Sequence, residues 1–106
     1  MQTIDPRVHP TDEFESIEDL QEWMTYNGQI WFYVYGHYYF MYSIKWHEND
    51  NEQWHIDYDN LDRLYVKGKE DVACCPSFEE LVSSILFNNH SIRELFYQIV
   101  FYDKIE

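Results

Sequence analysis

The sequence predicts an α+β domain with a short N-terminal helix, an antiparallel sheet of three or four strands and two C-terminal helices. Two observations predict this class. Aromatic and β-branched residues dominate the middle of the chain, and apolar residues at helical spacing follow capping serines on either side. The 106 residues, 45 % hydrophobic and 20 % aromatic, provide enough apolar material for one packed core. We therefore expect a single domain over residues 1–106.

An extended arm over residues 1–10, where two prolines accompany an aperiodic sequence, is expected to precede the first helix. The helix should begin after Ser16, since Asp19 stands three residues later as in a capping box. Apolar residues then recur at helical spacing as far as about Tyr26, and Gly28 supplies the left-handed residue that commonly follows a helix.

The strongest strand signal is a hairpin whose two aromatic runs flank Gly36-His37, a dipeptide that suits a type II′ turn. The register that follows gives the cross-strand pairs Tyr35–Tyr38, Tyr33–Phe40 and Trp31–Tyr42 on one face. Both faces of this hairpin are apolar or aromatic. We therefore expect one face to cover the core, and a helix, a further chain segment or a partner to cover the other.

The rest of the chain is predicted to add strands and then helices. Strict alternation indicates a third strand over residues 54–58, whereas residues 61–66 fit either a fourth strand or a short helical turn, and residues 67–71 a surface loop. Capping boxes at Ser77 and Ser91 begin two helices with apolar stripes reaching Leu86 and Val100. These stripes suit an antiparallel helix pair or packing against the sheet.

Acidic residues are concentrated in the first part of the chain. Residues 1–62 contain thirteen acids and two bases, a net charge of −11 out of −13 for the whole chain. Such a surface repels phosphate, so binding to nucleic acid or to an anionic membrane is disfavoured. It favours a basic protein as partner, and a nucleic-acid-binding enzyme is the partner class we expect.

The acids form two groups. The first surrounds the first helix, where the helix dipole accounts for Glu18 and Asp19 but not for Glu22. The second has no dipole to complement and no neighbouring base. Its members are predicted to contact the partner as phosphate surrogates: Glu48, Asp50, Glu52, Asp57, Asp59 and Asp62. Tyr33, Tyr35 and Tyr38 would add stacking surfaces if their face is open. The competing interpretation is solvated loops and core aromatics.

The sequence offers no catalytic motif, so we expect no enzymatic activity and no cofactor. The three glycines are scattered, and a weak divalent-cation site at His55 and Asp57 is disfavoured. The adjacent Cys74 and Cys75 are expected to be reduced structural thiols, with a vicinal redox pair as the alternative. The start of the chain does not resemble a signal peptide and no apolar run is long enough to span a bilayer, so we expect a cytoplasmic location in a bacterial cell.

Four segments resemble those of small acidic proteins from Gram-positive bacteria and their mobile elements: Phe14–Leu20, Trp31–Tyr42, Ser77–Leu81 and Asn88–Phe96. In size, acidity and strand–helix make-up the chain is also similar to anti-CRISPR inhibitors, which occupy the DNA-binding cleft of an RNA-guided nuclease. This likeness is one of physical type and carries over no residue roles.

Two function hypotheses follow. The first is a non-enzymatic inhibitor that occupies a basic nucleic-acid-binding cleft by DNA mimicry. The alternative is an immunity or regulatory interaction module, which would include a homodimer joined through the aromatic hairpin face.

Overall fold

The structure is a computed structural model, and it describes residues 8–10, 14–45, 47 and 51–104. Its elements follow the chain in the order β1 (Val8–Pro10), α1 (Ile17–Asn27), β2 (Gln29–Val34), β3 (His37–Ile44), β4 (Gln53–Tyr58), β5 (Asp71–Cys75), α2 (Phe78–Ser83), α3 (Ile92–Leu95), a 3₁₀ turn (Phe96–Gln98) and β6 (Val100–Lys104). The α+β class predicted from the sequence is confirmed. None of the helices in these described ranges is long and apolar enough to cross a membrane.

The strands form one antiparallel sheet in the order β1-β6-β2-β3-β4-β5, which is larger than the three or four strands expected. Part of the predicted N-terminal arm is the edge strand β1, and residues 1–7 lie outside the described residues. The segment 61–66 forms turns instead of a strand or a helix, and β5 begins at Asp71, which the sequence placed in a loop.

Helix α1 begins and ends as predicted. The Ser16 hydroxyl accepts a hydrogen bond from the Asp19 N–H at 3.3 Å, and Gly28 takes a left-handed φ of 72° at the other end. The Asp19 carboxylate accepts from the Glu15 N–H at 2.8 Å, so the reciprocal bond to Ser16 is replaced by one to its neighbour. Ser16 therefore caps the helix through its hydroxyl.

The C-terminal helices are shorter than predicted. Helix α2 ends at Ser83, and the Ser84 hydroxyl donates to the Glu80 carbonyl at 2.7 Å while its backbone is extended. Helix α3 starts with a complete capping box between Ser91 and Glu94, as expected. The stripe predicted to continue to Val100 instead turns into β6, because these β-branched and aromatic residues alternate faces beside β2.

The β2–β3 hairpin has a different register from the predicted one. Val34 pairs with His37 and Tyr33 with Tyr38, so the two turn residues are Tyr35 and Gly36. Both have positive φ, 51° and 78°, as a type I′ turn requires and a type II′ turn does not. The register shift of two residues leaves the side chains within the two strands on their predicted faces, whereas Tyr35 lies in the turn and borders a cavity with His37 and Tyr39.

All helices pack on one face of the sheet. The main core joins helix residues such as Leu20 and Leu81 to strand residues such as Phe32, Met41 and Ile56. The opposite face, here called the open face, carries a smaller cluster around Tyr33 and Tyr102. The connection between β4 and β5 folds over part of this face, because Leu61 packs against that cluster. The open face is thus covered in part by a further chain segment.

Candidate partner-binding site

Two of the predicted phosphate surrogates are buried structural groups. Asp59 is 5 % exposed, and its carboxylate accepts hydrogen bonds from the Trp31 indole N–H at 3.1 Å and the Leu61 N–H at 3.2 Å. Asp62 is 6 % exposed and accepts from the backbone N–H groups of Tyr38 at 2.7 Å and Leu64 at 2.9 Å. Burial and these internal donors leave the two predicted surrogates little access to a partner. They terminate strands and hold the β4–β5 connection in place.

Asp62 also binds His37, a partnership across 25 positions that the sequence does not reveal. The His37 Nδ1 lies 3.2 Å from both carboxylate oxygens of Asp62. A buried carboxylate that holds one nitrogen of an imidazole orients the other nitrogen. His37 borders a cavity of about 300 Å³ with Tyr35 and Tyr39. None of the described residues that line this cavity is Ser, Cys or Lys.

Asp57 is also buried, at 9 % exposure on the open face. The Tyr42 hydroxyl donates to its Oδ2 at 3.0 Å, while its Oδ1 has no hydrogen-bond partner among the described residues. It is paired with Asp71 on the neighbouring strand β5. Burial, together with Asp71 and Glu70, raises the pKa of the Asp57 carboxyl, although the Tyr42 hydroxyl opposes the rise. Asp57 is thus an internal carboxyl with restricted access to a partner.

The other three predicted acids of the second group lie at or near the start of β4 in the sequence. Glu52 is exposed just before β4, so its contact with a partner stays a prediction. Glu48 and Asp50 lie outside the described residues. The six carboxylates therefore do not form one continuous surface in the part of the chain that the structure describes.

The three candidate tyrosines have different surroundings. Tyr33 is buried and its ring lies 4.7 Å from that of Tyr38, which is half-buried, so Tyr33 is not a stacking surface for a partner. Tyr35 is 44 % exposed at the tip of the hairpin. Of the three, Tyr35 retains the clearest access to a partner.

A half-buried aromatic row crosses the open face and was missed as a unit in the sequence. Trp31 stacks on Phe40 at 4.8 Å between ring centroids, Phe40 on Tyr42 at 5.0 Å, and Tyr42 on His55 at 5.0 Å with only 7° between the planes. Large rings at every second position of the hairpin strands are the sequence signal for such a row. Which rings stack on one another depends on the strand register, which was predicted incorrectly. We call these four residues the open-face row.

The two cysteines lie on opposite faces of β5. The Cys74 sulfur is exposed 3.8 Å from His55 Nε2 on the open face, whereas the Cys75 sulfur lies 3.6 Å from the Ser84 hydroxyl on the helix side. A bond between them would break the strand geometry, because successive side chains of a strand point apart. The vicinal redox pair considered from the sequence is therefore disfavoured. Within the described ranges no three His, Cys, Asp or Glu side chains group as a metal site.

Three carboxylates of the first acidic group form an exposed negative surface. Glu15, Glu18 and Glu22 are all exposed, immediately before α1 or along it, and we call them the acidic helix surface. No Lys or Arg occurs between Arg7 and Lys45. Glu18 and Glu22 are one helical turn apart, about 6 Å along the axis.

No family model, curated protein sequence or solved structure matches this chain. Asp57 in β4 and Asp59 and Asp62 after it are buried, whereas the three glutamates of the acidic helix surface are exposed, so we take that surface as the candidate partner-binding site.

Proposed function

We propose that this chain is a small acidic, non-enzymatic inhibitor that binds the basic nucleic-acid-binding cleft of another protein through its acidic helix surface. The observation that carries the proposal is the exposure of Glu15, Glu18 and Glu22 on a segment that contains no basic residue. Carboxylates at about one per helical turn present repeated negative charge to a partner whose Lys and Arg side chains normally meet phosphates.

The charge of the whole chain supports the same partner class. A net charge of −13 on 106 residues accelerates encounter with a basic protein and disfavours nucleic acid itself. The activity would be of the anti-CRISPR type, in the cytoplasm of a bacterial host. Glu52 and Tyr35 remain predicted additional contacts, because both are exposed.

The test is affinity capture from a bacterial lysate with the tagged full chain at low and at high salt, followed by mass spectrometry. The proposal expects a nucleic-acid-binding protein that is retained at low salt and released by salt or by competing DNA. It also expects the Glu18→Lys/Glu22→Lys double variant to lose this protein.

The matched comparison uses single variants, Glu18→Lys on α1, which should weaken capture, and Glu80→Lys on α2. Each reverses one exposed glutamate in the first turn of a helix and changes the net charge equally, and Glu79 is left in place because it is ion-paired with Arg93. The Glu80→Lys control should retain the partner. Equal loss with both variants would reduce the effect to net charge, and a partner that resists both high salt and DNA would overturn the proposal.

A second candidate function is a homodimeric interaction module joined through the open face. The observation that favours it is the open-face row, a stacked and half-buried set of rings that no helix of the described chain covers. Its test is the oligomeric state of the chain in solution.

A further inference from the structure

The geometry points to a site for a single arginine side chain in a cavity beside α1, and this inference rests on the proposed function because the arginine would belong to the basic partner. The cavity holds about 220 Å³. It is smaller than the pockets that take drug-sized molecules, so it suits one head group. Its lining consists of Phe14, Asp19, Glu22, Trp23, Tyr26 and Asn27.

Two aromatic rings form a fixed corner of this cavity. The rings of Phe14 and Trp23 are 5.8 Å apart and almost perpendicular, at 77°. Trp23 is held in place because its indole N–H donates to the Gln29 carbonyl at 3.0 Å. Phe14 is held by edge contact with the buried Phe101 at 5.4 Å. A corner of this kind exists before any ligand arrives, so binding orders little of the protein.

The third ring stands at the mouth of the cavity. Tyr26 is 81 % exposed, although a large aromatic side chain on a helix would normally be packed. It lies on the same face of α1 as Asp19, Glu22 and Trp23, since these positions are related by i, i+3, i+4 and i+7. One helix face thus supplies two rings and two carboxylates to the same small space.

The two carboxylates of the cavity determine the charge that its ligand should carry. One oxygen of Asp19 accepts the Glu15 N–H, and Glu22 lies beyond the first turn, where the helix dipole no longer compensates its charge. The ion pair that a Lys or Arg forms within the described residues is Arg93–Glu79, which lies on α2 and α3. Neither lining carboxylate is neutralised by a described base, so a cation complements the cavity.

The shape of the cavity selects arginine among cations. A guanidinium group is flat, stacks on an aromatic face and directs its N–H donors outward in its own plane toward carboxylates. A lysine ammonium is a compact and strongly hydrated charge, which gains less from two flat walls. We therefore expect the cavity to bind a guanidinium group with higher affinity than an ammonium group.

The experiment is an NMR titration of the ¹⁵N-labelled full chain with N-acetyl-arginine amide, followed at the Trp23 indole N–H, which the Trp23→Phe variant identifies. The expected result is a saturable shift at Trp23 that is weaker with N-acetyl-lysine amide and absent with N-acetyl-citrulline amide, the neutral analogue of similar shape. Glu22→Gln should weaken arginine binding about tenfold, the loss of one charge-assisted hydrogen bond.

Tyr26→Ala should also weaken binding, and because this side chain is exposed the variant keeps its fold. Glu80→Gln, which removes one exposed charge on α2, is the matched control and should bind normally. Citrulline binding equal to arginine binding, or shifts that never saturate and spread over all acidic segments, would overturn the site. If arginine binds at Trp23 but capture finds no basic partner, the site stands and the proposed function fails. If Glu18→Lys/Glu22→Lys loses a captured partner while Tyr26→Ala and Glu22→Gln retain it, the proposed function stands and the arginine site fails.

Discussion

Tyr35 has a left-handed backbone, with φ of 51°, at a hairpin position where asparagine, aspartate or glycine is usual. A side chain with a Cβ disfavours this conformation by roughly 1–2 kcal/mol, and the 44 % exposure of Tyr35 limits what packing returns. Departures of this kind from local preference are expected where a residue serves a purpose other than stability. The observation is in keeping with the predicted role of Tyr35 as a contact residue.

At Asp57 the stability of the fold depends on pH. Its folded-state pKa is raised above the ordinary value of 3.8, chiefly by burial and then by its acidic neighbours. The native state therefore holds this proton more tightly than the unfolded chain does. The contribution of this tighter proton binding to stability is fully present below pH 3.8 and is lost as the pH rises through the raised pKa.

The Asp57→Asn variant removes this titration while its amide oxygen still accepts from Tyr42. We expect it to have a higher urea midpoint than the parent chain at pH 7, and the difference to shrink as the pH falls toward 3.8. Urea unfolding at several pH values measures this, with the exposed Glu52→Gln as control. A variant that is less stable at pH 7 than the parent would show that the ionised carboxylate is a net stabiliser.

At the scale of elements, the connection from β4 to β5 is held by carboxylates at fixed places. Asp59 joins it to Trp31 of β2, and Asp62 joins it to the first residues of β3. The segment has no helix or strand of its own, so these bonds and the packing of Leu61 determine its position.

Asp62→Ala should destabilise the protein by about 1–3 kcal/mol, because the Tyr38 and Leu64 N–H groups would lose their buried acceptor. Glu52→Ala, at an exposed position, should stay within about 0.5 kcal/mol of the parent. Chemical unfolding followed by tryptophan fluorescence compares the two. Equal stability of both variants would mean that water replaces the Asp62 carboxylate without loss.

Elements with local signals could be predicted and those that depend on distant pairing could not. Ser16 and Gly28 mark the ends of α1 by their own chemistry, so that helix was correct. The hairpin faces were correct but the register was not, because a shift of two residues leaves the alternation unchanged. Val100 fits a helical stripe as well as a strand, and only its pairing with Tyr33 of β2 selects β6.

In the candidate site, too, local features could be predicted and contacts between distant residues could not. Carboxylates on α1 were visible as a group, and the helix leaves Glu15, Glu18 and Glu22 exposed. The second group looked equally free in the sequence, but Asp59 and Asp62 are taken up by donors many positions away. Acidity can be counted from a sequence, whereas its availability depends on tertiary structure.

The whole molecule has two unlike sides. One bears the helices with their exposed glutamates, and the other bears the open-face row. At low salt we expect light scattering to give the monomer mass of 13.1 kDa, because two copies with a net charge of −13 each repel one another.

A dimer would instead favour the second candidate function. In that case Phe40→Lys in the open-face row should dissociate it, whereas Tyr97→Lys at an exposed position outside the row should not. A monomer at both low and high salt would remove the dimer hypothesis.

The place of β6 has a consequence for how the protein is made. Although β6 is the last described strand along the chain, it lies inside the sheet, between β1 and β2. As the ribosome releases the chain, β2 to β5 emerge first, and the edge of β2 has no neighbour until β6 follows. Throughout that interval the nascent chain exposes a strand edge and the core beneath Phe101 is incomplete. The sheet can thus close only after β6 has emerged from the ribosome.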